Sequence, residues 1–188
     1  KFIENKIYSG NKYLIVPKSK DFNKGNYLGI SFGGSDPKNI SIIVLKYLKE
    51  IKWEFPTYLF MGSFSNIQNR IKKIKKSKNI KICKFNKQKF LNSYLAICSP
   101  GITAFELLLK STFAIHISHT KRHSNLGRHI EKKYNFSKNL GIYNEIKLDK
   151  FKKYLYFYWK NEILIKKKIN IKLNFFKNSC KEIMEVII

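Results

Sequence analysis

Arginine is scarce in this chain of 188 residues: 35 lysines stand beside Arg70, Arg122 and Arg128 alone. Readers of nucleic acid draw on arginine for bidentate contacts to phosphates and base edges. The formal net charge of +26, with only 12 acidic residues, therefore does not by itself mark a nucleic-acid groove. Lys, Asn, Ile, Phe and Tyr dominate the chain, and all five have A/T-rich codons, so most of the excess charge reads as coding bias and no nucleic-acid partner is expected. Cysteine is scarcer than charge: Cys83, Cys98 and Cys180 are far apart, odd in number and form no C-x-x-C. That excludes a disulfide scaffold and a Cys-ligated zinc module, and fits a reducing cytoplasm. No run approaches the roughly 18 apolar residues of a membrane-spanning helix, Tyr94–Cys98 and Tyr154–Trp159 being among the longest. His-Glu-x-x-His, a Walker-type loop and a Ser/His/Asp triad are all missing, which leaves no support for a self-contained protease or ATPase. There is no internal repeat. The chain starts at Lys1 without an initiator Met or a signal-peptide pattern, and reads as a piece of a longer protein.

What is present can fold. Apolar residues make up 44% and aromatics 15%, enough for one domain with a sizeable core. Short runs rich in β-formers alternate with helical periodicity, which predicts an α/β, Rossmann-like, mainly parallel sheet of about six strands flanked by helices. Strands are expected at Tyr13–Val16, Tyr27–Phe32, Thr57–Met61, Asn79–Lys84, Tyr94–Cys98 and Phe113–Ser118. Helices are expected at Lys38–Ile51, Asn66–Lys76, Lys87–Asn92, Ile102–Lys110 and His123–Tyr134, and after Gly141 two or three closing helices fall within Phe151–Lys168 and Asn174–Ile188. In the first helix Ile40, Ile43, Val44, Tyr47, Leu48 and Ile51 form one apolar face. Residues 20–188 read as one domain and 1–19 as the tail of a connection.

Two strand-to-helix junctions carry the chemistry. The first is Ser31-Phe32-Gly33-Gly34-Ser35-Asp36-Pro37-Lys38-Asn39, where glycines permit close backbone approach and Ser35 or Asp36 can cap a helix begun by Pro37. Such a helix start suits a phosphate, although a carboxylate there opposes one. The second is Cys98-Ser99-Pro100-Gly101-Ile102-Thr103-Ala104-Phe105-Glu106, at the expected carboxyl edge of the sheet. Glu106 can accept both hydroxyls of a ribose; equally, Thr103-x-x-Glu106 spells a capping box in which the carboxylate touches no ligand.

All four histidines, His116, His119, His123 and His129, fall within a short stretch. His119 and His123 have the spacing to share a helix face, but Lys121, Arg122 and Arg128 crowd them with positive charge, so no metal and no cofactor is expected. Phe151, Tyr154, Leu155, Tyr158 and Trp159 have helical spacing and read as a closing helix on the core rather than a membrane-surface helix.

Together the two loops and their order resemble the C-terminal half of GT-B-type nucleotide-sugar enzymes, and within these the PseG-type hydrolases of pseudaminic acid synthesis, which release UDP from UDP-2,4-diacetamido-2,4,6-trideoxy-β-L-altropyranose. The likeness runs through Gly10-Asn-Lys-Tyr13-Leu-Ile-Val, Ser31 to Asn39, Leu95 to Leu108, Lys138-Asn-Leu-Gly141 and Lys177 to Met184. The resemblance implies that Gly33, Gly34, Ser35 and Asn39 lie near phosphate or sugar, that Ser99, Gly101, Ile102, Thr103 and Glu106 surround the nucleotide, and that Ile80–Phe85 offers backbone to the uracil. His123 and Asn125 are the implied sugar contacts, because His123 stands where these families carry a Gln. An Arg that commonly follows the Tyr13 position is replaced by Val-Pro17-Lys18. The resemblance also implies that the catalytic His belongs to an N-terminal domain outside this chain, so that this half binds its UDP-sugar in concert with that domain and is poorly active alone. The alternatives are a MurG-like UDP-sugar glycosyltransferase and a lysine-driven nucleic-acid-binding domain.

Overall fold

The computed structural model describes residues 24–63 and 78–161. Six strands form one sheet: β1 (Leu28–Ser31), β2 (Thr57–Met61), β3 (Ile80–Lys84), β4 (Leu95–Cys98), β5 (Phe113–Ser118) and β6 (Ser137–Ile142). The described helices are α1 (Ile40–Glu50), α2 (Lys87–Leu91), α3 (Ile102–Leu109), α4 (Lys121–Tyr134) and α5 (Leu148–Lys160). The order across the sheet is β3-β2-β1-β4-β5-β6, and every neighbouring pair is parallel. The chain therefore winds outward from β1 to β3, then returns to lay β4 on the other side of β1. Helices leave β1 and β4 in opposite directions, so their carboxyl ends open a crevice at that switch point.

Side-chain alternation sorts the helices between the two faces. On one face a row of small residues, Gly29, Ala96 and Ala114, lies in register across β1, β4 and β5. The core there joins Phe60, Ala96 and Cys98 to Phe90 and Leu91 of α2 and Leu107 of α3. A Cβ at Gly29 would lie 2.0 Å from Ser93 Oγ, so glycine is what lets the end of α2 approach the sheet. On the opposite face Leu28, Ile30, Leu59, Leu95, Ile97, Phe113 and Ile115 are buried. There Tyr158 of α5 stacks on Phe113 with centroids 4.2 Å apart, and Tyr47 of α1 meets Phe151 of α5 at 5.4 Å. Trp159 joins Trp53, Phe55 and Tyr94 at centroid distances near 5 Å, so the aromatic stripe packs inward as a closing helix does.

β2 and β5 have the expected bounds, and β1, β3 and β4 are shorter by one or two residues. α4 starts at Lys121, earlier than expected, because Thr120 Oγ1 accepts the His123 N–H as its cap. α5 likewise starts at Leu148, ahead of Phe151. β6 was not expected as a strand: Ser-Lys-Asn-Leu-Gly-Ile has low β propensity, and only Ser137 and Leu140 are buried. It forms because β5 offers an unpaired edge, and the pairing slips between His116 and Ile117. The strand expected at Tyr13–Val16, the helix at Asn66–Lys76, the closing segments beyond Asn161, and the segments Gly10–Val16 and Lys177–Met184 lie outside the described residues. Among the described residues no helix is long and apolar enough to cross a membrane.

Candidate functional site

Both sequence junctions end at the switch point, one after β1 and one after β4. The first loop turns through left-handed backbone at Gly33 (φ 83), Asp36 (φ 43) and Asn39 (φ 53). Gly, Asp and Asn are the residue types that enter this region most readily, so the local sequence suits the turn. The helix it leads into begins at Ile40 with Asn39 as N-cap, not at Pro37. Asp36, 4% exposed, caps it from a distance: Oδ1 accepts the Ile40 N–H and Oδ2 the Ser41 N–H, each at 2.9 Å. The Ile42 and Ile43 N–H groups go to Asn39 O at 3.0 and 3.4 Å. The first N–H groups of α1 are thus satisfied from within the chain, and any anion at this loop must be held by groups other than those. Burial alone would push the Asp36 carboxyl upward; His119, Ser41 and the Ile40 N–H outweigh it and hold the group below the ordinary carboxylate value.

The first loop is shaped from below by a residue the sequence did not single out. A Cβ on Gly62, just after β2, would lie 2.3 Å from both Gly34 Cα and Gly34 O. The two backbones touch there, and only hydrogen fits. Gly33, by contrast, has nothing within 4 Å of a Cβ position, and Gly33, Gly34 and Ser35 are all exposed.

The second loop differs at its helix start. Gly101 is the N-cap of α3, and no side chain caps it. Thr103 therefore sits inside the first turn instead of at the N-cap, and the capping-box reading of Thr103 and Glu106 fails. Ile102 is 58% exposed and Glu106 8% exposed. Glu106 Oε1 lies 2.5 Å from Lys87 Nζ of α2. A buried carboxylate with acceptor capacity left over thus stands beside a helix N-terminus that no side chain closes, which is an arrangement that can receive hydroxyl donors and an anion together.

His119, just beyond β5, joins the two loops. Its Nδ1 is 2.9 Å from Ser99 Oγ, and its Nε2 is 3.8 Å from Asp36 Oδ1. Ser99 Oγ also lies 3.0 Å from Ile117 O. With one hydroxyl proton given to that carbonyl, Ser99 accepts the Nδ1–H of His119. A Ser, a His and an Asp thus meet in space, although no such triad was legible in the sequence. It lacks nucleophilic geometry: the serine proton points at a carbonyl, and both Asp36 oxygens are held by backbone N–H groups. His119 precedes the Thr120 cap and so does not share a helix face with His123; the two rings are 5.9 Å apart.

The remaining histidine candidates separate. His123 and Asn125 are exposed near the start of α4 at the same sheet edge, and Asn125 Oδ1 accepts from Arg128 at 2.5 Å. His116 is fully buried, 3.6 Å from Cys98 Sγ, and burial lowers its pKa to about 4, so it is neutral. Burial pushes the Cys98 thiol up to about 12 and leaves it inert. Among the described residues no group of three or more His, Cys, Asp or Glu side chains is placed to hold a metal ion.

No protein-family model matches the chain. Among curated proteins, an uncharacterized protein of Methanocaldococcus jannaschii is 34% identical over 113 residues, which covers 56% of this chain and 23% of that protein. Among solved structures, MurG of Acinetobacter baumannii superposes with a TM-score of 0.62 at 14% identity, covering 88% of this chain and 50% of its own. The calicheamicin glycosyltransferase CalG4 gives a TM-score of 0.60 at 9% identity, over 91% of this chain and 43% of that one. The spinosyn rhamnosyltransferase SpnG, complexed with thymidine diphosphate, gives 0.59 at 10% identity, over 85% and 43%. This chain spans about half the length of those structures and about a quarter of the curated relative. The fold matches that of the C-terminal, Rossmann-like half of GT-B glycosyltransferases.

Proposed function

We propose that this chain is the nucleotide-sugar-binding half of a two-domain enzyme and that its nucleotide is UDP. The observation that carries this reading is Glu106: a buried carboxylate on the helix after β4, at the switch-point crevice, freed from any capping role and within reach of ribose hydroxyls. Gly33, Gly34 and Ser35 offer backbone to the diphosphate, and the α3 N-terminus with Gly101, Ile102 and Thr103 complements its charge. Ser99 holds His119 and so braces the loops from behind. Asn39, whose carbonyl accepts from the first turn of α1, is assigned to phosphate or sugar, and His123 and Asn125 are assigned to the sugar.

Transfer of the sugar to an acceptor is the reaction class we favour, since CalG4 and SpnG, two solved structures of like fold, are named as glycosyltransferases. Hydrolysis of a UDP-linked diacetamido-trideoxy sugar is the second reading, supported by the Ser-Phe-Gly-Gly-Ser-Asp-Pro-x-Asn string of the first loop. Either reaction draws its base and acceptor from a further domain in this reading, which rests on the resemblance to two-domain enzymes and on the chain's span of about half of the like-folded structures. Calorimetric titration of the chain with UDP tests the binding claim. Saturable binding is expected, together with a loss of at least about tenfold in Glu106→Ala; no saturation, or an unchanged variant, would overturn it.

A further inference from the structure

A carboxylate removed from water needs a counter-charge, and Glu106 receives its own from a different helix. Lys87, the first residue of α2, sets Nζ 2.5 Å from Glu106 Oε1. The two partners differ in freedom: the Lys87 side chain is 46% exposed and the Glu106 side chain 9%. The lysine side chain has solvent to turn into, whereas the glutamate is enclosed. Because α2 and α3 lie on the same face of the sheet, this pair crosses the space between them at the carboxyl edge.

The same edge shows two exposed apolar side chains. Phe85, directly after β3, is 43% exposed, and Ile102, opening α3, is 58% exposed. Phe85 is held by its neighbours, with ring centroids 6.5 Å from Phe60 and 6.0 Å from Phe90. Apolar surface left in water at the same sheet edge as an acceptor-only carboxylate and a solvent-exposed cation matches the three parts of a nucleotide: a flat base, a diol and an anion.

We propose, resting on the UDP reading above, that Lys87 is a nucleotide-binding residue with two successive partners. In the free protein it neutralises Glu106. When ribose hydroxyls donate to that carboxylate, the ammonium turns to the diphosphate, so the nucleotide's negative charge does not meet an uncompensated carboxylate. Lys87 then selects for the phosphates, whereas Glu106 selects for the ribose.

Calorimetry of the chain with UDP and, separately, with uridine tests this in wild type, Lys87→Met and Lys87→Arg, with circular dichroism melts to confirm the fold. Lys87→Met is expected to weaken UDP at least about tenfold while uridine stays within about threefold of wild type, since uridine has no charge for the lysine to meet. Lys87→Arg is expected to retain UDP binding. If Lys87→Met binds UDP as wild type does, or loses UDP and uridine equally, the assignment is overturned and the UDP reading stands. If wild type binds neither, the UDP reading falls and takes Lys87 with it.

Discussion

Asp36 fills the helix start that its own motif advertises. The run Gly33-Gly34-Ser35-Asp36-Pro37 looks like a phosphate cradle at the start of α1, yet the Asp36 carboxylate accepts two of the first N–H groups of that helix. It acts as an internal anion. Asp36→Asn keeps a left-handed residue and one acceptor oxygen but removes the charge, and is expected to destabilise the chain by about 1 kcal/mol in urea unfolding near neutral pH. The sign of the pH dependence follows from the depressed carboxyl. Its stabilisation is present above the unfolded value of 3.8 and is lost as pH falls through the lower folded value. Wild-type and Asp36→Asn unfolding curves should therefore converge as pH drops below that unfolded value; a gap that stays constant into acid would show that the ionised cap is not what stabilises α1. Glu106 shows the complementary case. Its spacing from Thr103 allowed two readings, and the helix start at Ile102 removed one of them.

At the scale of elements, the loop after β1 depends on the strand next to it. Gly62 lets the end of β2 press against the backbone of Gly34, with no room for a methyl group. Gly62→Ala must push the Gly33–Gly34 turn, because the obstructing atoms are backbone and not the tip of a flexible side chain. UDP affinity is expected to fall by about tenfold or more, with a lower thermal midpoint, as read by calorimetry and circular dichroism. Wild-type affinity in Gly62→Ala would mean that this turn does not touch the ligand. Strongly periodic elements were legible in the sequence. β2, β5 and the apolar face of α1 stand out because burial on the sheet demands a regular pattern, although Leu45 and Ser41 are buried where Ile43 is only half so. β6 was not legible, because an edge strand of Ser, Lys, Asn and Gly is decided by the free edge of β5 and not by its own propensity.

For the whole molecule, the length of the chain against its structural relatives shapes the biochemistry. It spans 43–50% of the three glycosyltransferases compared above. If this half supplies binding alone, the chain takes up UDP but turns over no UDP-sugar, and activity appears only together with the domain that completes the cleft. Release of UDP from UDP-sugar by the isolated chain, followed by chromatography, would refute that division. The net charge of +26 raises attraction for any anion, so specificity has to show against it. At about 150 mM salt an oligonucleotide should not displace UDP. Displacement with steep salt dependence would favour the lysine-driven nucleic-acid reading instead.

The amino-acid sequence by itself determined the α/β alternation and the two Gly-containing junctions, because hydrophobic period and turn chemistry are local properties of a chain. It also placed Glu106 on a helix after a buried strand. What it could not express was distance. The strand order that sets β1 beside β4 and brings the junctions together, the approach of His119 to Ser99 and Asp36, the contact of Gly62 with Gly34, and the pairing of Lys87 with Glu106 all join residues remote in sequence. Such contacts are decided when the sheet assembles, since only then do burial and charge act between elements rather than along them.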